Sequence, residues 1–363
     1  MKHKYRNLIL TIFLLLITIN AIPTVLGKTR YSYLITFIRN NEIEGEGFTN
    51  AINDEISLEA TMYALNILDS YGINPLEVET LNGNLENRIE DMFNNDEVSL
   101  YDLCFLLKSL NSTEYTIDSD LSDRIYDYVN DAEQLTGGFS FSNTSEVANL
   151  ASTYFAIQIH FAIGRPIVNL TLHKNWVLSC NNSDGGYGGN QTLSSTLINT
   201  FFVALILDEI GDISELVSSI DTLNYLKSFY VNDSADFNSF GGYIPEDLAQ
   251  YALLSSTYFC VKIISLIDPG ELNTNPTINW ILARQNFKDG GFAENTEGYQ
   301  QKISSVIATY FAFETIKILN PSLSSLSSEI WMVEFNYIIL GVILGSIGLL
   351  IAVAIFLWRR RRI

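Results

Sequence analysis

A chain of 363 residues that is 47% hydrophobic yet carries a net charge of −20 holds ample apolar material for a folded core, and far too much negative charge to seek nucleic acid or anionic membranes. Its three cysteines, Cys104, Cys180 and Cys260, allow at most one bridge, which excludes a disulfide-stapled scaffold and leaves stability to packing.

The N-terminus carries Lys2, Lys4 and Arg6, then an apolar run from Leu8 to Ile17, then Val25-Leu26-Gly27. Residues 1–27 are expected to be a secretory signal peptide, because the apolar run is too short to cross a bilayer. From there to residue 320 one signal recurs: Gly47-Phe48, Gly137-Gly138-Phe139, Gly185-Gly186-Tyr187, Gly241-Gly242-Tyr243 and Gly290-Gly291-Phe292. The last four lie 48, 56 and 49 residues apart, and the first sits about two periods before the second. A juxtamembrane linker is expected at 321–335 and a membrane-spanning helix at 336–358, since the stretch from Tyr337 to Trp358 carries no charge. The arginines of the 359–363 tail hold that end in the cytoplasm. The expected topology is a single-pass cell-membrane protein with an extracellular body. That body carries 14 basic and 41 acidic residues, and six Asn-x-Ser/Thr sequons at Asn111, Asn143, Asn169, Asn181, Asn190 and Asn232 are candidate glycosylation sites. Gly341 and Gly345 form a Gly-xxx-Gly step through which two such helices could pair as a dimer.

Each repeat reads as an amphipathic helix, a Gly-rich turn and a more apolar helix. Thr153-Tyr154-Phe155, Thr200-Phe201-Phe202, Thr257-Tyr258-Phe259 and Thr309-Tyr310-Phe311 mark the second helix. A copy without glycines is expected between Met92 and Leu110, which makes six helix pairs between about Arg30 and Leu319. Helices apolar nearly all round need cover on both sides, and this favours closure into a ring over an open solenoid. The fold class expected is all-α: an (α/α)6 toroid over residues 28–320 plus one C-terminal transmembrane helix.

Trp280, Arg284, Gln285, Asp289, Gly290, Gly291 and Phe292 form a signature that resembles the repeat shared by protein prenyltransferase β subunits and by squalene and terpenoid cyclases. The resemblance implies the same toroid. In prenyltransferases it also implies a zinc ion held by an Asp, a Cys two residues later and a later His at the starts of inner helices. The matching positions here are Ala151 and Thr153, Ile198 and Thr200, Ser255 and Thr257, and Ile307 and Thr309, none of them a zinc donor, so no metal or other cofactor is expected. His160 and His173 fall off that pattern and read as a buried hydrogen-bonded group and a surface-loop residue. The Asp-x-Asp-Asp cluster of squalene-type cyclases is missing. Asp118-Ser119-Asp120 with Asp123 comes nearest and reads as a helix cap.

What remains for the lumen is aromatic: Tyr63, Tyr154, Phe155, Phe201, Tyr258 and Tyr310, with Glu146, Glu246 and Asp247 as the nearby acids. Such a lining suits an apolar ligand, or else fills the ring axis. The missing motifs favour a membrane-anchored, non-catalytic scaffold that binds an extracellular partner protein, a glycan or an apolar ligand. The alternative is a divergent prenyltransferase- or cyclase-like enzyme acting on an isoprenoid or other lipid.

Overall fold

The computed structural model describes residues 24–141, 147–334 and 345. Within Tyr31–Ser327, short polar caps start most of the apolar helices. Ser57, Ser99, Asn149, Thr196 and Ser305 each turn a side-chain oxygen onto a backbone N–H three residues on, at 2.9–3.3 Å. Two alternating sets result. The outer helices are α1 (Arg30–Asn40), α3 (Val78–Asn94), α5 (Ser119–Asp131), α7 (Leu170–Leu178), α9 (Ser219–Ser228) and α11 (Thr274–Leu282). The inner helices are α2 (Leu58–Asp69), α4 (Leu100–Ser112), α6 (Leu150–Ala162), α8 (Leu197–Glu209), α10 (Leu254–Ile267) and α13 (Val306–Leu319), with the short α12 (Thr296–Gln301) leading into the last.

The two sets differ in how they are buried. On α5 the buried residues Leu121, Ser122, Ile125 and Val129 form a single stripe, whereas α10 buries eight of its residues around its circumference. Inner helices pack in sequence, α2 on α4, α4 on α6, α6 on α8, α8 on α10 and α10 on α13, and α13 returns to α2. The ring therefore closes, as the apolarity of the inner layer predicts. The copy expected between Met92 and Leu110 is α3 with α4, joined by a short turn and no hairpin.

The Gly-aromatic signal has a common structural cause. In each of the five copies the aromatic N–H donates to a threonine hydroxyl on the following inner helix: Phe48 to Thr61, Phe139 to Thr153, Tyr187 to Thr200, Tyr243 to Thr257 and Phe292 to Thr309, all at 2.9–3.0 Å. Each hydroxyl in turn donates to the carbonyl four residues back, at 2.7–2.8 Å. The five aromatic rings are fully buried, so they are core and not lumen. The glycines permit the turn to press on the next outer helix. Gly241 has φ +94, and a Cβ there would lie 2.5 Å from the Pro276 carbonyl oxygen. Gly290, at φ +99, meets the Tyr33 carbonyl of α1 in the same way, so the N-terminal outer helix backs the last turn. Neighbouring hairpins are also tied, Leu150 N–H to Gly189 C=O, Leu254 to Glu294 and Val306 to Asn50 at 2.8–2.9 Å, and the last of these closes the ring.

Residues 24–30 and 328–334 belong to a second unit, in which Thr24–Thr29 pairs antiparallel with Glu329–Glu334. The expected signal peptide enters the described residues only at 24–27, within that strand, and the strand 329–334 occupies part of the expected linker. The expected membrane helix at 336–358, including Gly341, lies outside the described residues except for Gly345. Among the described residues no helix is long and apolar enough to cross a membrane.

Candidate functional site

Counted from its first residue, every inner helix turns its fifth and sixth positions toward the ring axis, and most also turn the ninth and some the second, the spacing of one helical face. The helices run parallel and in register, so these positions stack as layers. The fifth and sixth are aromatic in most repeats. Tyr63 stacks on Tyr310 with ring centroids 4.0 Å apart, Tyr154 on Phe202 at 4.8 Å and Tyr258 on Phe311 at 5.4 Å. The rings do not close the axis. They surround a cavity of about 400 Å³, within the range of small-molecule sites.

The ninth layer is polar except for Leu205: Asn66, Lys108, Gln158, Lys262 and Glu314 make up the rest. The second layer brings Glu59, Tyr101 and Ile198 to the cavity. Half-buried Glu59 accepts a hydrogen bond from the Tyr101 hydroxyl at 3.1 Å. Burial lifts its carboxyl above the ordinary range, against the lowering effect of hydrogen bonds from Tyr101 and Tyr63. The phenols of Tyr63, Tyr154 and Tyr310 are pushed far up, first by desolvation, so all three stay neutral donors. Cys104, in the fifth layer, has its thiol raised to about 11 by burial and is not a reactive thiolate.

All six aromatic residues expected at the lumen, Tyr63, Tyr154, Phe155, Phe201, Tyr258 and Tyr310, line this cavity together. The acids expected beside them do not join them. Glu246 and Asp247 are exposed on the loop between Tyr243 and Leu253, and Glu146 lies outside the described residues. Three other acids do line the lumen, Asp208 and Glu209 toward the C-terminal end of α8 and Glu59 at the opposite rim, and Glu59 escaped the sequence reading because a glutamate in the first turn of a helix is commonplace. Lining up the inner helices at their caps would have found it.

The positions matching the zinc ligands of prenyltransferases are now explained. Thr153, Thr200, Thr257 and Thr309 are the buried threonines that clasp the Gly-aromatic turns, and Ser255 donates from its hydroxyl and its backbone N–H to the Glu294 carboxylate. Hydroxyls already committed as both donor and acceptor do not fit a zinc ion. Asp118 caps α5 through Asp120 N–H at 2.8 Å, as expected. His160 is buried as expected but lacks the expected hydrogen bond, and His173 is not the surface-loop residue expected. His173 is buried on α7, where its Nδ1 accepts from Gly138 N–H at 3.0 Å. His160 is buried with neither ring nitrogen hydrogen-bonded. Arg284 of the signature is buried too; its guanidinium lies 3.8 Å from the Trp280 ring centroid and donates to the Asn238 carbonyl, which makes it a structural strut.

Of the sequon asparagines, Asn111, Asn169 and Asn232 are exposed, and Asn169 donates to Glu133 at 2.8 Å. Asn181 donates to the Gly186 carbonyl at 3.4 Å, and Asn190 accepts from both the N–H and the hydroxyl of Thr192 in its own sequon. Asn143 lies outside the described residues.

The sequence pattern of the prenyltransferase alpha-alpha toroid domain matches residues 74–174, 168–248 and 242–335. The chain belongs to the prenyltransferase toroid family. Among solved structures this toroid is similar to Candida albicans protein geranylgeranyltransferase-I complexed with GGPP, at 15% identity and a TM-score of 0.58 over 74% of this chain and 85% of that one. It is also similar to a type II terpene cyclase from Scytonema, at 11% identity and a TM-score of 0.53 over 82% of this chain and 97% of that one. The same cyclase in complex with geranylgeranyl dihydroxybenzoate gives 11% identity and a TM-score of 0.53 over 80% and 97%. At these identities the likeness concerns the fold alone. No curated protein sequence matches the chain.

Proposed function

We propose that this toroid acts on an isoprenoid or similarly apolar chain held in its lumen, with Glu59 as proton donor. The observation that carries the reading is the open aromatic cavity with one carboxyl of raised pKa at its rim. A carboxyl whose pKa is raised by burial at the edge of an apolar site is suited to act as a general acid. Transfer of the Glu59 proton to an alkene carbon leaves a carbocation on the chain, and the π-systems of the aromatic rings that line the lumen favour positive charge beside them. Attack by a second double bond closes a ring, and loss of a proton to water ends the sequence. The product is an isomer of the substrate, and Glu59 regains its proton from solvent beside half-exposed Tyr101. Geranylgeranyl-bearing molecules in the two similar structures agree with a ligand of this class.

The threonines at the zinc positions leave this chemistry to the carboxyl. The acid-bearing lumen supports turnover over a purely binding role. The proposal keeps the topology expected from the two ends of the chain: a toroid outside the cytosol, glycosylated at its sequons and anchored through residues 336–358.

The test is incubation of the full chain, in a non-ionic detergent, with polyprenyl alkenes and analysis of products by gas chromatography with mass detection. The wild-type chain is expected to yield isomers of unchanged mass. Glu59→Gln is expected to slow their formation by roughly 10²–10⁴-fold while still binding the chain in native mass spectrometry. Equal rates in the two proteins would refute the assignment.

A further inference from the structure

The lumen has a second opening. A further cavity of about 420 Å³ shares Asn66, Lys108, Gln158 and Glu209 with it and reaches the C-terminal turns of the inner helices. Seven residues of α4 separate Tyr101 at one opening from Lys108 at the other, ~10 Å of helical rise. The bore thus runs from a carboxyl-and-phenol rim, through aromatic layers, to a layer of amides and ammonium groups.

The charges of that far layer are unequally matched. Lys262 lies 3.5 Å from Asp208 and Lys317 lies 3.2 Å from Glu314. Lys108 is half-buried, and its ammonium donates to the neutral Oε1 of buried Gln158 at 2.7 Å. Among the described residues it is the one inner-helix lysine with no carboxylate within ion-pair distance. A half-buried ammonium met by a single neutral amide oxygen has donors to spare, so an anionic acceptor placed beside it gains a charge-assisted hydrogen bond. Glu209, one turn further along, and exposed Asp69 line the same opening with no ion pair among the described residues, and they limit how much negative charge it tolerates.

Resting on the lumenal reading above, we infer that Lys108 holds the head group of an amphiphile with a single negative charge, a carboxylate, whose chain runs through the aromatic layers toward Glu59. The head then fixes which end of the chain meets the acid. A diphosphate would bring two or more charges against Glu209 with one unmatched cation to receive them, and is disfavoured.

The full chain in a non-ionic detergent is titrated with three polyprenyl probes of equal length, ending in a carboxylate, a hydroxyl or a diphosphate. The carboxylate is expected to bind about tenfold more tightly than the alcohol, and the diphosphate less tightly than the carboxylate. Lys108→Met is expected to equalise carboxylate and alcohol while alcohol binding persists, which also shows that the variant is folded; Lys108→Arg keeps the preference. An unchanged preference in Lys108→Met, a lost one in Lys108→Arg, or a diphosphate bound above the carboxylate overturns the head-group assignment and leaves the lumenal reading standing. Failure of all three probes to bind the wild-type chain overturns both.

Discussion

Lowering the pH from about 7.5 to about 5 is expected to destabilise the toroid by about 2 kcal/mol through His160 alone. The imidazole is wholly buried, with no hydrogen bond at either nitrogen. It lies edge-on to Tyr126 with centroids 5.5 Å apart, and Phe139 separates it from His173, whose Nε2 is 3.5 Å from Glu133. Desolvation, and secondarily the charge of His173, lower its pKa from 6.5 to about 4. The folded value is below the unfolded one, so the unfolded chain binds the proton more readily. Stability is therefore complete above pH 6.5 and falls as the pH drops toward 4, by about 3.4 kcal/mol in all. Urea unfolding followed by tryptophan fluorescence at the two pH values measures the loss, and His160→Phe isolates it, since the carboxylates and His173 titrate in both proteins. The phenylalanine ring removes two unsatisfied buried nitrogens and is expected to cost little at neutral pH. If wild type and variant lose the same stability between the two pH values, the argument from burial fails.

Thr257→Val leaves the Tyr243 N–H buried without an acceptor and is expected to cost about 1–3 kcal/mol, read as a fall in Tm, with Thr257→Ser close to wild type. A Tm unchanged in Thr257→Val would show that the threonine clasp is not needed. Gly290→Ala combines a strained positive φ with a clash on the Tyr33 carbonyl and is expected to lose about 3 kcal/mol or more, whereas Gly72→Ala, at φ +64 in open space, loses about 1. Equal losses at the two glycines would remove the packing part of the explanation.

The ring was readable because its causes are local. One glycine or a pair, an aromatic, and a threonine 13 to 17 residues on form one hydrogen-bonded device, and five copies announce five helix junctions. Even the copy without glycines was readable, because Leu103, Cys104, Leu106 and Leu107 keep the all-round apolarity of an inner helix. The site was harder. Glu246 and Asp247 stand close in sequence to a Gly-aromatic turn, but the hairpin between Tyr243 and Leu253 carries them to the surface. Glu59 stands where first-turn acids usually serve the helix dipole, and only closure of the ring makes that turn the rim of a cavity. His160 was misjudged because a buried histidine is ordinarily bonded, and nothing in a sequence reports the absence of a partner.

The contact between Ile307 N–H and the Asn50 side chain spans 257 residues. Until that junction forms, the first and last inner helices each expose a flank of aromatic and aliphatic side chains, so the slow step of folding is expected to be a long-range closure and not the growth of any single repeat. A closed ring also has no structural beginning. The last Gly-rich turn packs on α1 as Gly241 packs on α11, so the seam between the last and first repeats is built like the joints between Gly-bearing neighbours.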